Sequence, residues 1–274
     1  MAQRVFNVLQ YIASYFGTVK TMGDMANNDV FCGGVDNACD LQQTIEYQKK
    51  QLAFAKDVGD KAGEARACGY LSDAFDSVGD FQQALEYGKK HLCIAKEVGD
   101  LSEEGQAYGN LGNAYKSLLD FQRATECHTR ALTIAKKTKD RIAEGCAYCN
   151  LGNAYRSLGD FKRAIECHEQ YLSISKKLGD RAGEGRVYGN LGNTYDSLGD
   201  FHRSIDHLEK HLAIAKEVGD RQGEGRAHNN VGVTYSSLGE FQRAIEHHKN
   251  HLIIAKELGD KIGEASACCN LGRA

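Results

Sequence analysis

Apolar residues along this chain recur three and four positions apart, and the whole pattern returns every forty residues. In the stretch 181–220, Val187, Tyr188, Leu191, Gly192, Tyr195 and Leu198 fall on one face of a helix with 3.6 residues per turn. Asp180 precedes that stripe as an N-cap, and Glu184 sits in the first turn, where the positive helix end favours a carboxylate. Gly199 then stops the helix and Asp200 opens a second one, whose stripe runs through Phe201, Ser204, Ile205, Leu208, His211, Leu212, Ile214 and Ala215. Two helices joined by two or three residues lie antiparallel. Neither buries its stripe alone, so successive units must stack.

The register holds throughout. Leu111-Gly112-Asn113-Ala114-Tyr115 returns at Leu151 to Tyr155, at Leu191-Gly192-Asn193-Thr194-Tyr195 and at Val231-Gly232-Val233-Thr234-Tyr235, with Leu71-Ser72-Asp73-Ala74-Phe75 as the most divergent copy. Five units are predicted at 61–100, 101–140, 141–180, 181–220 and 221–260, preceded by a half unit with only the second helix at 41–60 and followed by an incomplete first helix at 261–274. Residues 1–20 read as an amphipathic helix through Val5, Val8, Leu9, Ile12 and Phe16, and 21–40 as irregular chain. Gly192 on the first helix, and Ala84, Ala124, Ala164, Ala244 and Ser204 in one slot of the second, mark places where helices approach closely.

Leu151-Gly152, Tyr155 three residues on, Ala164 nine residues after that, and Gly159-Asp160-Phe161 at the helix turn resemble the tetratricopeptide signature, repeated in register over most of the chain. The resemblance implies an all-α fold: an antiparallel helix-pair solenoid wound as a right-handed superhelix. The usual repeat is about 34 residues and commonly ends at a proline, whereas this chain has none. Lys96, Lys136, Lys176, Lys216 and Lys256 stand in its place, so the second helix is expected to continue to Gly99, Gly179, Gly219 or Gly259. The run Gly179 to Asn193 is also similar to the forty-residue repeats of the LGN/Pins family of G-protein signalling modulators. That similarity implies an extended partner peptide held in a concave groove, in a cell-polarity or G-protein-linked setting. The family's short C-terminal motifs for the GDP-bound Gα subunit have no counterpart here, so inhibition of nucleotide dissociation is not carried over.

In such arrays the first helices line the groove, which singles out residues pointing away from their apolar stripe. Asparagine rungs recur as Asn110, Asn150, Asn190, Asn230 and Asn270 and as Asn113, Asn153 and Asn193, with Asn229 adjoining. A side-chain amide offers two donors and an acceptor and can clamp the backbone of an extended chain. Asparagine is a poor helix former and brings folding no evident gain on an exposed face, although recent copying of repeats would also propagate it. Arg66, Arg186 and Arg226 share one position, with Lys116 and Arg156 ten residues further along their units, so an acidic partner segment is expected. Gln106, Cys146 and Ser266 interrupt that basic row, and a solvated charged face is the competing account.

Composition narrows the function classes. A net charge of −3 with interspersed signs gives no long-range attraction for nucleic acid or an anionic membrane. The apolar start, Val5 to Phe16, is interrupted and too short to insert into a bilayer. Ten cysteines at scattered positions suit reduced thiols and a cytoplasmic location. Cys146-x-x-Cys149 lacks both the second pair a metal finger needs and a preceding strand. His207 and His211, like His247 and His251, lie four apart with no evident third ligand; His91, Ala131, Tyr171, His211 and His251 share one slot, which points to interhelix packing. Neither a cofactor nor a metal is expected, and no catalytic constellation stands out. The chain reads as a protein-binding scaffold; the alternative is a structural repeat protein that self-associates end to end, or a fragment of a larger array.

Overall fold

An aspartate stands before almost every helix. Asp60, Asp80, Asp100, Asp120, Asp140, Asp160, Asp180, Asp200, Asp220 and Asp260 each accept a hydrogen bond from a backbone N–H in the first turn of the following helix. Those N–H groups have no partner inside the helix, so a carboxylate every twenty residues sets where each helix begins. The computed structural model describes residues 37–273; the expected N-terminal amphipathic helix lies outside them.

Twelve helices form among the described residues: α1 (Asn37–Val58), α2 (Lys61–Ser77), α3 (Phe81–Val98), α4 (Leu101–Ser117), α5 (Phe121–Thr138), α6 (Arg141–Ser157), α7 (Phe161–Leu178), α8 (Arg181–Leu198), α9 (Phe201–Val218), α10 (Arg221–Ser237), α11 (Phe241–Leu258) and α12 (Lys261–Leu271). Even-numbered helices are the first of each pair and odd-numbered helices the second. The fold is an all-helical solenoid of stacked pairs. Helix α1 starts at Asn37, inside the stretch the sequence suggested was irregular, because Ala38 and Cys39 carry no helix-breaking signal.

Without proline, the second helices run to a left-handed residue: Gly99, Gly179, Gly219 and Gly259 have φ of 78°, 68°, 74° and 68°. The unit 101–140 differs. Leu119 (φ 62°) and Lys139 (φ 60°) hold the left-handed positions on either side of α5, where the other units have glycine.

Packing inside each pair depends on small residues. Ala84, Ala124, Ala164, Ser204 and Ala244 are completely buried. One apolar cluster joins Ile45 and Leu52 of α1, Leu71 and Phe75 of α2, Leu85 of α3 and Leu111 of α4, so each pair buries its stripe on the next.

A second slot shows size complementarity across the pair. Gly112, Gly152 and Gly232 of the first helices lie against His128, His168 and His248 of the second, and a β-carbon on any of these glycines would come within 2.4–2.6 Å of the imidazole Cε1. Gly192 faces Leu208 in the same way. The unit 61–100 reverses the sizes, with Ser72 opposite Gly88 and the Ser72 hydroxyl donating to the Ala84 carbonyl at 2.8 Å. The buried imidazoles of His128 and His168 have no hydrogen-bond partner on either nitrogen. Burial pushes both down to about 4, so they sit in the core as neutral rings.

Candidate functional site

The face built by α2, α4, α6, α8 and α10 carries the residues singled out from the sequence. Its asparagines are half-buried, and they link neighbouring first helices. The Asn110 side chain donates to the Gly69 carbonyl at 3.2 Å, Asn190 to Cys149 Sγ at 3.3 Å, Asn230 to Asn193 Oδ1 at 3.0 Å, and Asn270 to Asn229 Oδ1 at 3.1 Å. Asn229 donates to Asn230 Oδ1 at 3.4 Å, and Asn153 reaches back to Cys149 Sγ at 3.9 Å. Folding therefore does gain from these residues: they staple repeat to repeat, which the sequence alone did not suggest. Asn110 also bonds the Asp73 carboxylate, so part of the amide hydrogen-bonding capacity on this face is used within the array.

The arginines spread along the same face. Arg66 is exposed on α2. Arg186 donates to the Tyr171 hydroxyl at 3.2 Å and lies 3.9 Å from Asp180, while Arg226 lies 3.6 Å from Asp220. Desolvation first, and the Arg226 charge second, lower the Arg186 pKa. The Asp220 carboxylate, 3.6 Å from Arg226, opposes that shift and so acts on both guanidinium groups. Arg156 is half-buried and close enough to His168 to help keep that ring neutral.

A cavity of about 510 Å³ opens between the first helices α2, α4 and α6 and the second helix α5, with His91 of α3 at its edge. Asn110, Asn113 and Asn150 line it together with Arg66, and Ala131, Ile134 and Ala143 form apolar parts of its wall. Its origin is a missing side chain. In the unit 61–100 the His91 ring fills the notch over Gly69, where a β-carbon would meet it at 2.9 Å, and His211 does the same over Gly189 at 3.0 Å; in the unit 141–180 the equivalent position is Cys149, and Tyr171 lies one turn away, 3.1 Å from a β-carbon built on Gly145. The unit 101–140 has Ala131 in that slot, and nothing lies within 4 Å of a β-carbon built on Gly109. The slot was visible as a column in the sequence; what faces it across the helix pair was not.

Three acids border the cavity, Asp73, Glu103 and Asp140. Glu103 bonds His91 Nε2 at 2.8 Å. Asp73 keeps accessible surface, yet burial within the recess, reinforced by Asp76, pushes its carboxyl up to about 7 against the opposing effects of His91 and an Asn110 hydrogen bond. Among the thiols on this face, Cys146 is exposed and its pKa is raised, first by desolvation and then by Asp140 and Asp180, while the half-buried Cys149 is pushed up by burial to about 11. All eight cysteines described are free. The histidines four apart diverge to separate contacts, His207 stacking on Tyr195 with ring centres 5.2 Å apart while His211 packs on Gly189. His247 Nδ1 instead meets His228 Nδ1 at 3.0 Å. No group of three metal-ligating side chains occurs among the described residues, and no described helix is long and apolar enough to cross a membrane.

Comparison with known families and structures fits this arrangement. Two models described as tetratricopeptide repeat match residues 103–177 with 145–217 and residues 227–262, together more than half of the chain. The chain belongs to the tetratricopeptide repeat family. No curated protein matches it at a significant level. Among solved structures, this tetratricopeptide array is similar to BtubC from P. vanneervenii, at 22% identity and TM-score 0.69, over 80% of this chain and 92% of that one. It is also similar to a signal transduction ATPase with numerous domains and a tetratricopeptide repeat sensor from Pyrococcus horikoshii, at 20% identity and TM-score 0.71, covering 83% of this chain but only 36% of that protein. A Rap protein solved in complex with Competence and Sporulation Factor matches 94% of this chain and 76% of its own, at 14% identity and TM-score 0.69. At these identities the likeness is one of fold.

Proposed function

We propose that this tetratricopeptide array is a cytoplasmic scaffold without catalytic activity, which binds an extended, acidic segment of a partner protein along the face of its first helices. The observation that carries the proposal is the cavity that the first helices α2, α4 and α6 form on that face together with α5, lined by Asn110, Asn113, Asn150 and Arg66. Tetratricopeptide solenoids serve as protein-interaction scaffolds, and the Rap neighbour bound to Competence and Sporulation Factor supports this use of the fold.

Acidic character follows from Arg186 and Arg226. Both stand on adjacent first helices, within 4 Å of Asp180 and Asp220 respectively, and charge-assisted guanidinium–carboxylate bonds are among the stronger ones available to a partner segment. The resemblance to LGN/Pins repeats makes cell-polarity or G-protein-linked signalling the setting to test first. The test selects peptides from a random display library on the full chain, then titrates the best binder against the wild type and an Arg186→Glu/Arg226→Glu double variant, with circular dichroism as the folding control. Acidic consensus positions and at least tenfold weaker binding by the folded double variant are expected. Equal binding by both proteins overturns the acidic-groove account.

A further inference from the structure

We infer that Lys116 of α4 and Arg156 of α6 seat a phosphorylated side chain of the partner segment, a dianion held by one cation from each of two successive first helices. The inference rests on the peptide-binding reading and adds to it a residue class and, with it, a point of regulation.

Both side chains are half-buried cations left without an anion. Arg141, Arg181, Arg186, Arg221 and Arg226 on the first helices each lie within 4 Å of a carboxylate, as do Lys61 and Lys261. Lys116 and Arg156 have no such partner among the described residues. Each stands in the last turn of its helix, where the negative helix end favours a cation. That alone does not account for the pair, because α2 and α8 carry Asp76 and Asp196 at the same position.

This position lies at the boundary with the next first helix, since Asp196 of α8 accepts from the Thr234 hydroxyl of α10 at 2.9 Å. Where Asp196 has Thr234, Lys116 has Ala154 of α6, which offers no polar side-chain atom. The Lys116 charge is nevertheless felt on α6, where it lowers the Cys149 pKa against the larger effect of burial. Arg156 lies two turns along from Cys149 on the same helix face. One turn before each cation, on that face, stand Asn113 and Asn153. Asn113 has no hydrogen-bond partner among the described residues, and Asn153 has the 3.9 Å contact to Cys149 Sγ.

The charge of the seat selects its occupant. A carboxylate carries one negative charge and would leave one of the two cations unmatched. A phosphate monoester carries about −1.5 to −2 at pH 7 and three acceptor oxygens, enough to take the ammonium, the guanidinium and an amide N–H together. Asp76 and Asp196 flank the pair on α2 and α8 and repel further anions on either side, so concentrated charge at one point fits this row better than a run of acids.

The experiment titrates N-acetyl-phosphoserine amide and N-acetyl-aspartate amide separately into the isotopically labelled full chain and follows amide shifts by nuclear magnetic resonance. Saturable shifts centred on Asn113, Lys116, Asn153 and Arg156 are expected with the phosphoserine compound, and at least fivefold weaker binding with the aspartate compound. Lys116→Gln combined with Arg156→Gln should abolish those shifts with the fold intact. Asn153→Asp, which copies Asp73 at the same position of α2, supplies a carboxylate beside the cations; it should weaken binding at least fivefold and stands in should the double variant fail to fold. Shifts scattered over the surface, or binding unchanged in either folded variant, overturn the inference, and equal binding of the aspartate compound overturns the assignment to phosphate. The small probe reads the seat without any peptide, so loss of peptide binding by the Arg186→Glu/Arg226→Glu variant and loss of this seat remain separate results.

Discussion

The imidazole of His128 lies over Gly112 so closely that a β-carbon on Gly112 would stand 2.4 Å from its Cε1. Gly112→Ala should therefore force the ring or the helix to move and cost about 1–3 kcal/mol, the usual range for overpacking a tight core. Replacing the pair together by the combination found at Ser72 and Gly88, as Gly112→Ser with His128→Gly, should recover part of that loss. Urea unfolding followed by circular dichroism reads both; equal destabilisation by the single and double variants would show that the pairing is not what limits the site.

Acidification should weaken the array. Burial lowers His128, His168, His211 and His228 to about 4, against about 6.5 in an unfolded chain. Between those values the unfolded state binds more protons, so stability is complete above pH 6.5 and falls as the pH drops toward 4. The two most enclosed rings, His128 and His168, each contribute up to roughly 3 kcal/mol to that loss. Melting temperatures should fall steeply from pH 7 to pH 5. His128→Leu, which copies the arrangement of Leu208 over Gly192, should flatten that slope, and an unchanged slope would mean the ring titrates normally in the fold.

Three positions depart from the array's own local rules. Glu240 is the N-cap residue of α11 and makes no side-chain capping bond; its carboxylate turns to Arg243 at 3.0 Å instead. Glu240→Asp, matching the other caps, should stabilise by about 0.5–1 kcal/mol. Leu119 and Lys139 occupy left-handed backbone, and replacing either by glycine should gain about 1 kcal/mol. Chemical denaturation of the three single variants checks the set, and a loss of stability in any of them contradicts the assignment at that position.

The asparagine staples predict a coupling between repeats. Asn190→Ala removes the bond to Cys149 and should cost about 0.5–1.5 kcal/mol, with faster amide exchange in both α6 and α8. Faster exchange in α8 alone would mean that the contact carries no coupling.

Most of the fold was legible because its determinants are local. Asp180 and Asp200 before their stripes, Gly199 after one and Lys176 where a proline commonly stands each act within one turn, so spacing along the chain was enough to place the helices. The staples were not legible, since Asn190 and Cys149 meet only after two first helices stack at a particular rotation. The cavity fell between these cases. His91, Ala131, Tyr171 and His211 could be aligned as one slot, which reads as packing until Gly109 is seen opposite Ala131 with nothing between them. The divergence of the unit 101–140 was also written in its Leu119 and Lys139, where other units have glycine, but backbone dihedrals were needed to show its consequence.

The most direct test of the account is amide hydrogen exchange on the full chain with and without a library-selected acidic peptide at saturating concentration. The account predicts slowed exchange in the first helices α2, α4, α6, α8 and α10. Protection confined to the second helices α3, α5, α7, α9 and α11, with the first helices unchanged, would contradict it.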